Sequence, residues 1–267
     1  TTNTHSLSFD GIDNYVSTGI PYTDIYEAEE ISISTSIKWL SEDSDGGPSE
    51  QGILANSESG NGQLELTVDN TWPNNDKKLC LAWADLSTVD NSVMQHAIFD
   101  QTIINFNEWY NIKVVLSNNH VYWYLDDILV ETDNVLFTGL GRESSNVPDL
   151  NIGRSNRLYD TYFHGLIDEV KISINGSEEN LAYWNFNEGT GTTLTDQTSN
   201  DNDGTISGAS WSTDVPATTQ FNWTYDGTVP TMTITAAEGV DGFTSKDATL
   251  ALTFTSSEAT TDFAEED

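Results

Sequence analysis

From Ile31 to Trp39 the chain reads Ile-Ser-Ile-Ser-Thr-Ser-Ile-Lys-Trp, apolar on the odd numbers and polar on the even ones with the single exception of Thr35. Successive residues of a β-strand point to opposite faces, so a period of two commits this stretch to a strand with one face on a core and one in water. Leu64, Leu66 and Val68 alternate with polar neighbours in the same way. Trp109 to Leu116 and Val121 to Leu125 flank Ser117-Asn118-Asn119-His120, two strands around an Asn-rich turn. Asp126-Asp127 then turns the chain into Ile128 to Thr132, and Leu150 to Gly153 and Leu166 to Ile172 add further strands. Helical periodicity is scarce. Many short strands joined by Gly, Asn, Asp and Ser turns predict an all-β sandwich or jelly roll. The long polar loops, 41–50, 69–78 and 139–149, are expected at the sandwich ends, where binding sites are usually built.

Composition raises an objection to any compact fold. The chain carries 43 acidic and nine basic residues, a formal charge of −34, and high charge with low hydropathy marks disorder. Eight Trp, ten Tyr and ten Phe gathered into the alternating runs outweigh it, and predict a folded protein with an acid-coated surface. Such a surface suits high salt or divalent cations, and it argues against nucleic acid and anionic lipid as partners. No run of about 18 apolar residues is present to span a membrane as a helix. The one cysteine, Cys80, rules out an internal disulfide and a cysteine zinc cluster; in Leu79-Cys80-Leu81 it reads as a core residue. The start at Thr1-Thr2-Asn3 reads as a mature or excised piece of a longer, secreted product.

Several motifs in order carry a family likeness. Leu7-Ser8-Phe9-Asp10-Gly11-Ile12-Asp13-Asn14-Tyr15-Val16 resembles the opening motif of laminin-G-like, concanavalin A-like jelly rolls, Phe-Asp-Gly-x-Asp-Asp-Tyr-Val, with Asn14 in place of the second Asp. Ile31 to Trp39, Trp109-Tyr110-Asn111-Ile112, Leu150 to Arg154 and Gly165 to Ile172 are similar to that family's later strands. The likeness covers roughly residues 5–211 and implies a fold rather than a ligand. Tyr183 to Thr205, which often precedes the opening motif in this family, here follows the closing strand. It is read as a permuted edge of the same jelly roll, because Trp184, Phe186 and Trp211 need a core nearby; loan to a neighbouring domain is the alternative. The expected organisation is a jelly roll over 1–212, a linker over 213–225 and an incomplete immunoglobulin-like segment over 226–267. That tail resembles the start of bacterial immunoglobulin-like adhesin repeats, but its 42 residues fall short of the ~100 of a full sandwich.

Calcium is the best-supported chemistry. Asp196, Thr198, Asn200 and Asn202 set side-chain oxygens at alternate positions and Gly204 permits a tight turn. Glycine is missing at the sixth position and Ser207 stands where an EF-hand needs its bidentate Glu, so that motif is excluded. A Ca²⁺ loop built on Asp196, Asn200 and Asn202 and a set of solvated Asx turns both remain. The family resemblance implies a second ion site, with Asp168 holding structural Ca²⁺ near the N-terminal strand and Asp10 or Asp13 as partners. Hydrogen bonding alone would also account for these carboxylates.

Trp72, in the polar loop Asn70-Thr71-Trp72-Pro73-Asn74, is the best placed ring for stacking on a sugar, and Arg154, Arg157 and Tyr159 follow a strand end where loops cluster. Core packing is the commoner role for the other aromatics. Catalytic signatures are missing: the histidines are dispersed, no zinc spacing, nucleophile elbow or phosphate loop occurs, and the Glu-x-Asp-x-x-Glu strand of related glucanases is absent. The expectation is a non-catalytic extracellular adhesion or recognition module of a larger surface protein, binding glycans or other cell-surface ligands and stabilised by Ca²⁺. The alternative is a structural subunit of a surface filament or layer, joined to neighbouring copies through its C-terminal strands.

Overall fold

The structure, a computed structural model, describes residues 2–40, 50–58, 61–69, 78–87, 94–100, 104–141, 147–155, 160–177, 180–217, 232–236 and 252–256. The chain divides into two units, Thr1–Thr218 and Thr219–Asp267.

The first unit is a sandwich of two antiparallel sheets. In chain order its strands are β1 (Ser6–Asp10), β2 (Tyr15–Ser17), β3 (Glu30–Trp39), β4 (Gln51–Glu58), β5 (Asn61–Asp69), β6 (Lys78–Trp83), β7 (Gln95–Ile98), β8 (Trp109–Ser117), β9 (His120–Leu125) and β10 (Ile128–Asn134). After these come β11 (Asn151–Ile152), β12 (Arg154–Ser155), β13 (Thr161–Tyr162), β14 (His164–Ile174), β15 (Ala182–Trp184), β16 (Thr193–Leu194), β17 (Gly204–Ser207) and β18 (Ser210–Ser212). The first sheet runs β10-β9-β8-β3-β14-β1-β18, with β15 also paired to β14. The second runs β16-β17-β2-β11-β4-β5-β6-β7, with the β12–β13 hairpin joined to it through β4.

The alternation read from the sequence sets which face packs. Ile31, Ile33, Ile37 and Trp39 of β3 are buried in the space between the sheets, while Ser32, Ser34 and Lys38 keep partial contact with water. Phe9, Phe99, Phe163, Phe186 and four tryptophans fill that space. Each of the four finds a partner for its indole N–H, as a buried Trp must. Trp39 donates to Gln51 Oε1, Trp83 to the Leu136 carbonyl, Trp123 to Asp133 Oδ2 and Trp184 to the Asn202 carbonyl. Cys80 is half-buried, not enclosed.

Residues 182–212 belong to this sandwich. β15 pairs with β14, β17 with β2 and β18 with β1, and Trp184 and Phe186 lie fully inside the core. The expected linker is corrected at its beginning. Asp214 accepts from Lys38 Nζ at 2.7 Å and from Trp109 Nε1 at 2.8 Å, its carbonyl accepts from Ser6 Oγ, and Pro216 is buried. Residues 213–217 are therefore docked on the first sheet; three hydrogen bonds outweigh the spacer-like Pro/Thr composition. Residues 218–225 lie outside the described ones.

The described part of the second unit is one antiparallel ribbon, β19 (Met232–Ala236) with β20 (Leu252–Ser256), in which Thr233 faces Thr255 and Thr235 faces Thr253.

Replacing Trp184 by alanine removes a fully buried indole and strands the Asn202 carbonyl. The expected cost is about 3–5 kcal/mol, read as a lower urea midpoint at unchanged slope. A loss below about 1 kcal/mol would mean that β15 is not part of the cooperative core.

Candidate functional site

The β12–β13 hairpin assembles the cluster best suited to a ligand. Gly153, with φ of +81°, turns the chain into β12; a Cβ there would stand 2.5 Å from the Phe9 ring, so only glycine fits. Pairing then sets Arg154 opposite Tyr162 and Ser155 opposite Thr161. Arg154 donates from Nε at 3.1 Å and Nη2 at 2.7 Å to one oxygen of Asp160. Its guanidinium carbon lies 5.2 Å from the Tyr15 ring centre and 5.9 Å from that of Tyr162. Burial pulls the Arg154 pKa down, but the Asp160 hydrogen bond and charge, with the two tyrosines, hold it above the ordinary value. Burial raises the Tyr162 hydroxyl, partly opposed by the Arg154 charge. The result is a fixed cation between two half-buried rings with an exposed carboxylate at its side. This arrangement offers aromatic faces for C–H stacking and both donors and acceptors for hydroxyl groups.

Of the residues named from sequence for ligand binding, Arg154 is in this cluster, while Trp72, Arg157 and Tyr159 lie outside the described residues. Sequence reasoning missed Tyr15 and Asp160. Tyr15 could have been read as outward-facing from its place beside the core residue Val16. Asp160 becomes a partner only once the hairpin register is known. Trp83 and Trp123 are core residues. A cavity of about 390 Å³ at one end of the sandwich is lined mainly by Glu27, Glu29, Glu30, Ser117, Asn118 and Asn175, none of them named from sequence as a binding residue.

The structure brings Asp196, Asn200 and Asn202 into one loop and fills that loop with protein hydrogen bonds. Asp196 Oδ1 accepts from the backbone N–H groups of Tyr183 and Thr198, and Oδ2 from Thr198 Oγ1 and the Asn202 N–H. Asn200 and Asn202 turn their amides onto the Leu181 carbonyl. Burial alone would raise the Asp196 pKa, but these four donors bring it below the usual range.

Asp10 and Asp13 do not meet Asp168, which corrects that expected pairing. The reason is register: β1 sets Asp10 opposite His164 and Leu7 opposite Ile167. Four residues of extended strand, about 13 Å, therefore separate the level of Asp10 from that of Asp168. Asp10 instead accepts the N–H groups of Ile12 and Asp13 in the turn that Gly11 makes. Asp168 meets Asn3, whose Nδ2 donates to Oδ2 at 2.6 Å, and the Glu169 N–H donates to Oδ1 at 2.8 Å. This carboxyl is fully buried at a β-bulge where Glu169 takes φ of +53°. Burial pushes its pKa up to about 7, the Asn3 hydrogen bond opposing and the Glu169 charge adding to the rise. The buried Oδ1 of Asn3 has no hydrogen-bond partner. Among the described residues no three His, Cys, Asp or Glu side chains group into a metal site.

Residues 10–175 match the family model described as the concanavalin A-like lectin/glucanases superfamily. The chain belongs to that superfamily. One solved structure supports the fold. A candidate carbohydrate-binding protein from Bacteroides ovatus superposes with a TM-score of 0.60 at 16% identity, over 81% of this chain and 62% of the other. This chain thus spans under two thirds of that protein. Mouse laminin α1 domains LG4-5 give a TM-score of 0.46 at 11% identity over 68% of this chain and 43% of theirs. The sialidase module CBM40 of Ruminococcus gnavus, solved with α2,3-sialyllactose, gives 0.46 at 14% over 62% and 89%. No curated protein matches the sequence. Among the described residues no helix is long and apolar enough to cross a membrane.

The Asp168 carboxyl gives a pH test. Its folded pKa of about 7 lies above the ordinary 3.8, so folding favours the protonated form. In chelator, its contribution is fully present below pH ~4 and is lost as pH rises towards ~7, then stays constant. Asp168→Asn should match the wild type near pH 4 and gain relative melting temperature above it. A difference that is flat from pH 4 to 8 would mean that Asp168 is ionised throughout.

Proposed function

We propose that this chain is a non-catalytic carbohydrate-binding module of a larger extracellular or cell-surface protein, taking its sugar at Arg154, Tyr15, Tyr162 and Asp160. The observation that carries the reading is the guanidinium fixed between two half-exposed tyrosine rings beside a carboxylate. The superfamily and the carbohydrate-binding assignment of the Bacteroides ovatus neighbour support the ligand class. A glycan array with the intact chain should give at least one hit. Arg154→Ala and Tyr15→Ala should each weaken that hit by about tenfold, the scale of one good polar or stacking contact. An array with no hit, in the presence of Ca²⁺, would overturn the sugar reading.

Calcium stabilisation belongs to the same proposal, at Asp168. A fully buried carboxyl lies beside the orphaned Oδ1 of Asn3, and the neighbouring Glu169 carboxylate is taken up by Tyr183 and Lys171. Asn3 and Asp168 would hold the ion, with backbone carbonyls completing its shell, and the ion would pin the N-terminal segment to β14. The loop of Asp196 is less suited, because four protein donors occupy its two oxygens, against two donors at Asp168. Melting in Ca²⁺ against chelator, at matched ionic strength, should show a rise specific to Ca²⁺ that Asp168→Asn abolishes. An equal rise with Mg²⁺ or added NaCl would remove the ion from the account.

A filament or layer subunit is the second reading. It is favoured by the β19–β20 ribbon, the described part of the second unit, since a two-stranded ribbon gains stability by adding to another sheet.

A further inference from the structure

The outer face of the first sheet carries a second constellation. Register aligns Tyr124 of β9 with Lys113 of β8, Lys113 with Ser34 of β3, Ser34 with Lys171 of β14, and Lys171 with Tyr183 of β15. Five adjacent strands thus present Tyr-Lys-Ser-Lys-Tyr in one transverse row. The inward neighbours Trp123, Val114, Ile33, Val170 and Trp184 are buried, so the row points away from the core.

The lysines lean apart. Lys113 Nζ lies 5.3 Å from the centre of the Tyr124 ring and Lys171 Nζ 4.4 Å from that of Tyr183. Each ring draws its ammonium away from β3, leaving Ser32, Ser34 and Ser173 as a low hydroxyl floor between two cationic walls. The strands that carry the lysines are two sheet spacings apart, about 10 Å. Lys171 is shared with Glu169 at 3.6 Å, whereas Lys113 is exposed and meets no carboxylate among the described residues. The Tyr183 hydroxyl also donates to Glu169 at 2.6 Å, so this carboxylate offsets Lys171, and Lys113 is the cation of the row left without a carboxylate among the described residues, in a chain of 43 acids and nine bases.

We propose that this row binds a polyanionic sugar chain along β3, with its carboxylate or sulfate groups on Lys113 and Lys171 and its hydroxyls on the serine floor. A peptide is the poorer fit. β3 is paired on both sides, to β8 and β14, so no free strand edge is available to satisfy a peptide backbone. Glu30, at the start of β3, and the acidic cavity beyond it repel an anion and limit the row at that end. The site is separate from the Arg154 cluster, which lies on strands of the other sheet.

Native affinity electrophoresis of the full chain tests this, at about 0.15 M salt so that long-range charge is screened. Gels would contain polygalacturonate, dextran sulfate, neutral dextran or poly-glutamate. Retardation is expected from one or both of the first two, which separates carboxylate from sulfate recognition, and none from neutral dextran. Lys113→Glu and Lys113→Gln should weaken it by about tenfold or more, with Lys171→Gln acting in the same direction. Retardation held at the Arg154 cluster would survive Lys113→Glu, so loss of retardation in Lys113→Glu separates the two sites whether or not the Arg154 cluster binds a sugar. Melting curves establish that each variant is folded; Lys113 is exposed, so little change is expected. The proposal fails if neither acidic glycan retards the chain, if Lys113→Glu is retarded equally, or if poly-glutamate acts as strongly as the glycans. A concentration-dependent dimer that Lys113→Glu abolishes would assign the row to a second copy and overturn it too.

Discussion

The sandwich depends on the two edges of β14. One edge carries β3 over almost its whole length, from Gly165 opposite Trp39 to Ile174 opposite Ile31. The other is divided, with β1 along His164 to Ile167 and β15 along Val170 to Ile172. The first strand of the domain and the late segment of 182–184 are therefore neighbours on one strand. The bulge at Asp168 to Lys171 falls where β1 gives way to β15, and a bulge sharpens strand twist. Placing Glu169 in the left-handed region spends backbone strain at that junction. In return, the Asp168 side chain lies level with Asn3, which lets the N-terminal segment dock.

Strand existence and facing were legible because period two is a local signal that needs no partner. Ile31 to Trp39 and Trp109 to Leu116 bury the side chains that alternation assigns to the core, whereas in Leu64 to Val68 the polar neighbours Glu65 and Thr67 are buried as well, so this strand is enclosed on both faces. Membership of 183–212 was also legible, since three large aromatics in a polar stretch need an existing core. Relations between distant segments were not. Asp168 was separated from Asp10 by a register that no local pattern encodes. Asp214 lies in a sequence with the composition of a spacer, and its partners Ser6, Lys38 and Trp109 come from three different strands. The same holds for the candidate sites. Arg154 could be singled out by its place after a strand end, but Tyr15 lies some 140 residues earlier and meets it only through sheet packing. The Tyr-Lys-Ser-Lys-Tyr row draws one residue from each of five strands and has no linear signature at all.

The extreme acidity reads differently once the buried carboxylates are separated from the rest. Bulk salt screens exposed acids within a Debye length of about 8–10 Å, so a high-salt habitat would accommodate most of the −34 charge without any specific site. Buried carboxylates need local compensation. Asp85 and Asp196 receive it in full: each accepts several N–H and O–H donors, and each is held below the ordinary range despite burial. Asp168 receives two donors, one from a side chain with an orphaned oxygen of its own, and has Glu169 as a neighbour. Screening by mobile ions cannot reach a fully buried group. The choices open to Asp168 are a proton or a bound cation, and a proton is half lost at about pH 7. Asp168 thus has fewer donors than Asp85 or Asp196 and lies at the junction where the N-terminal segment docks, so its protonation is tied to that docking. This property is distinct from general halotolerance, because it resides in one side chain and its immediate neighbours and not in the net charge.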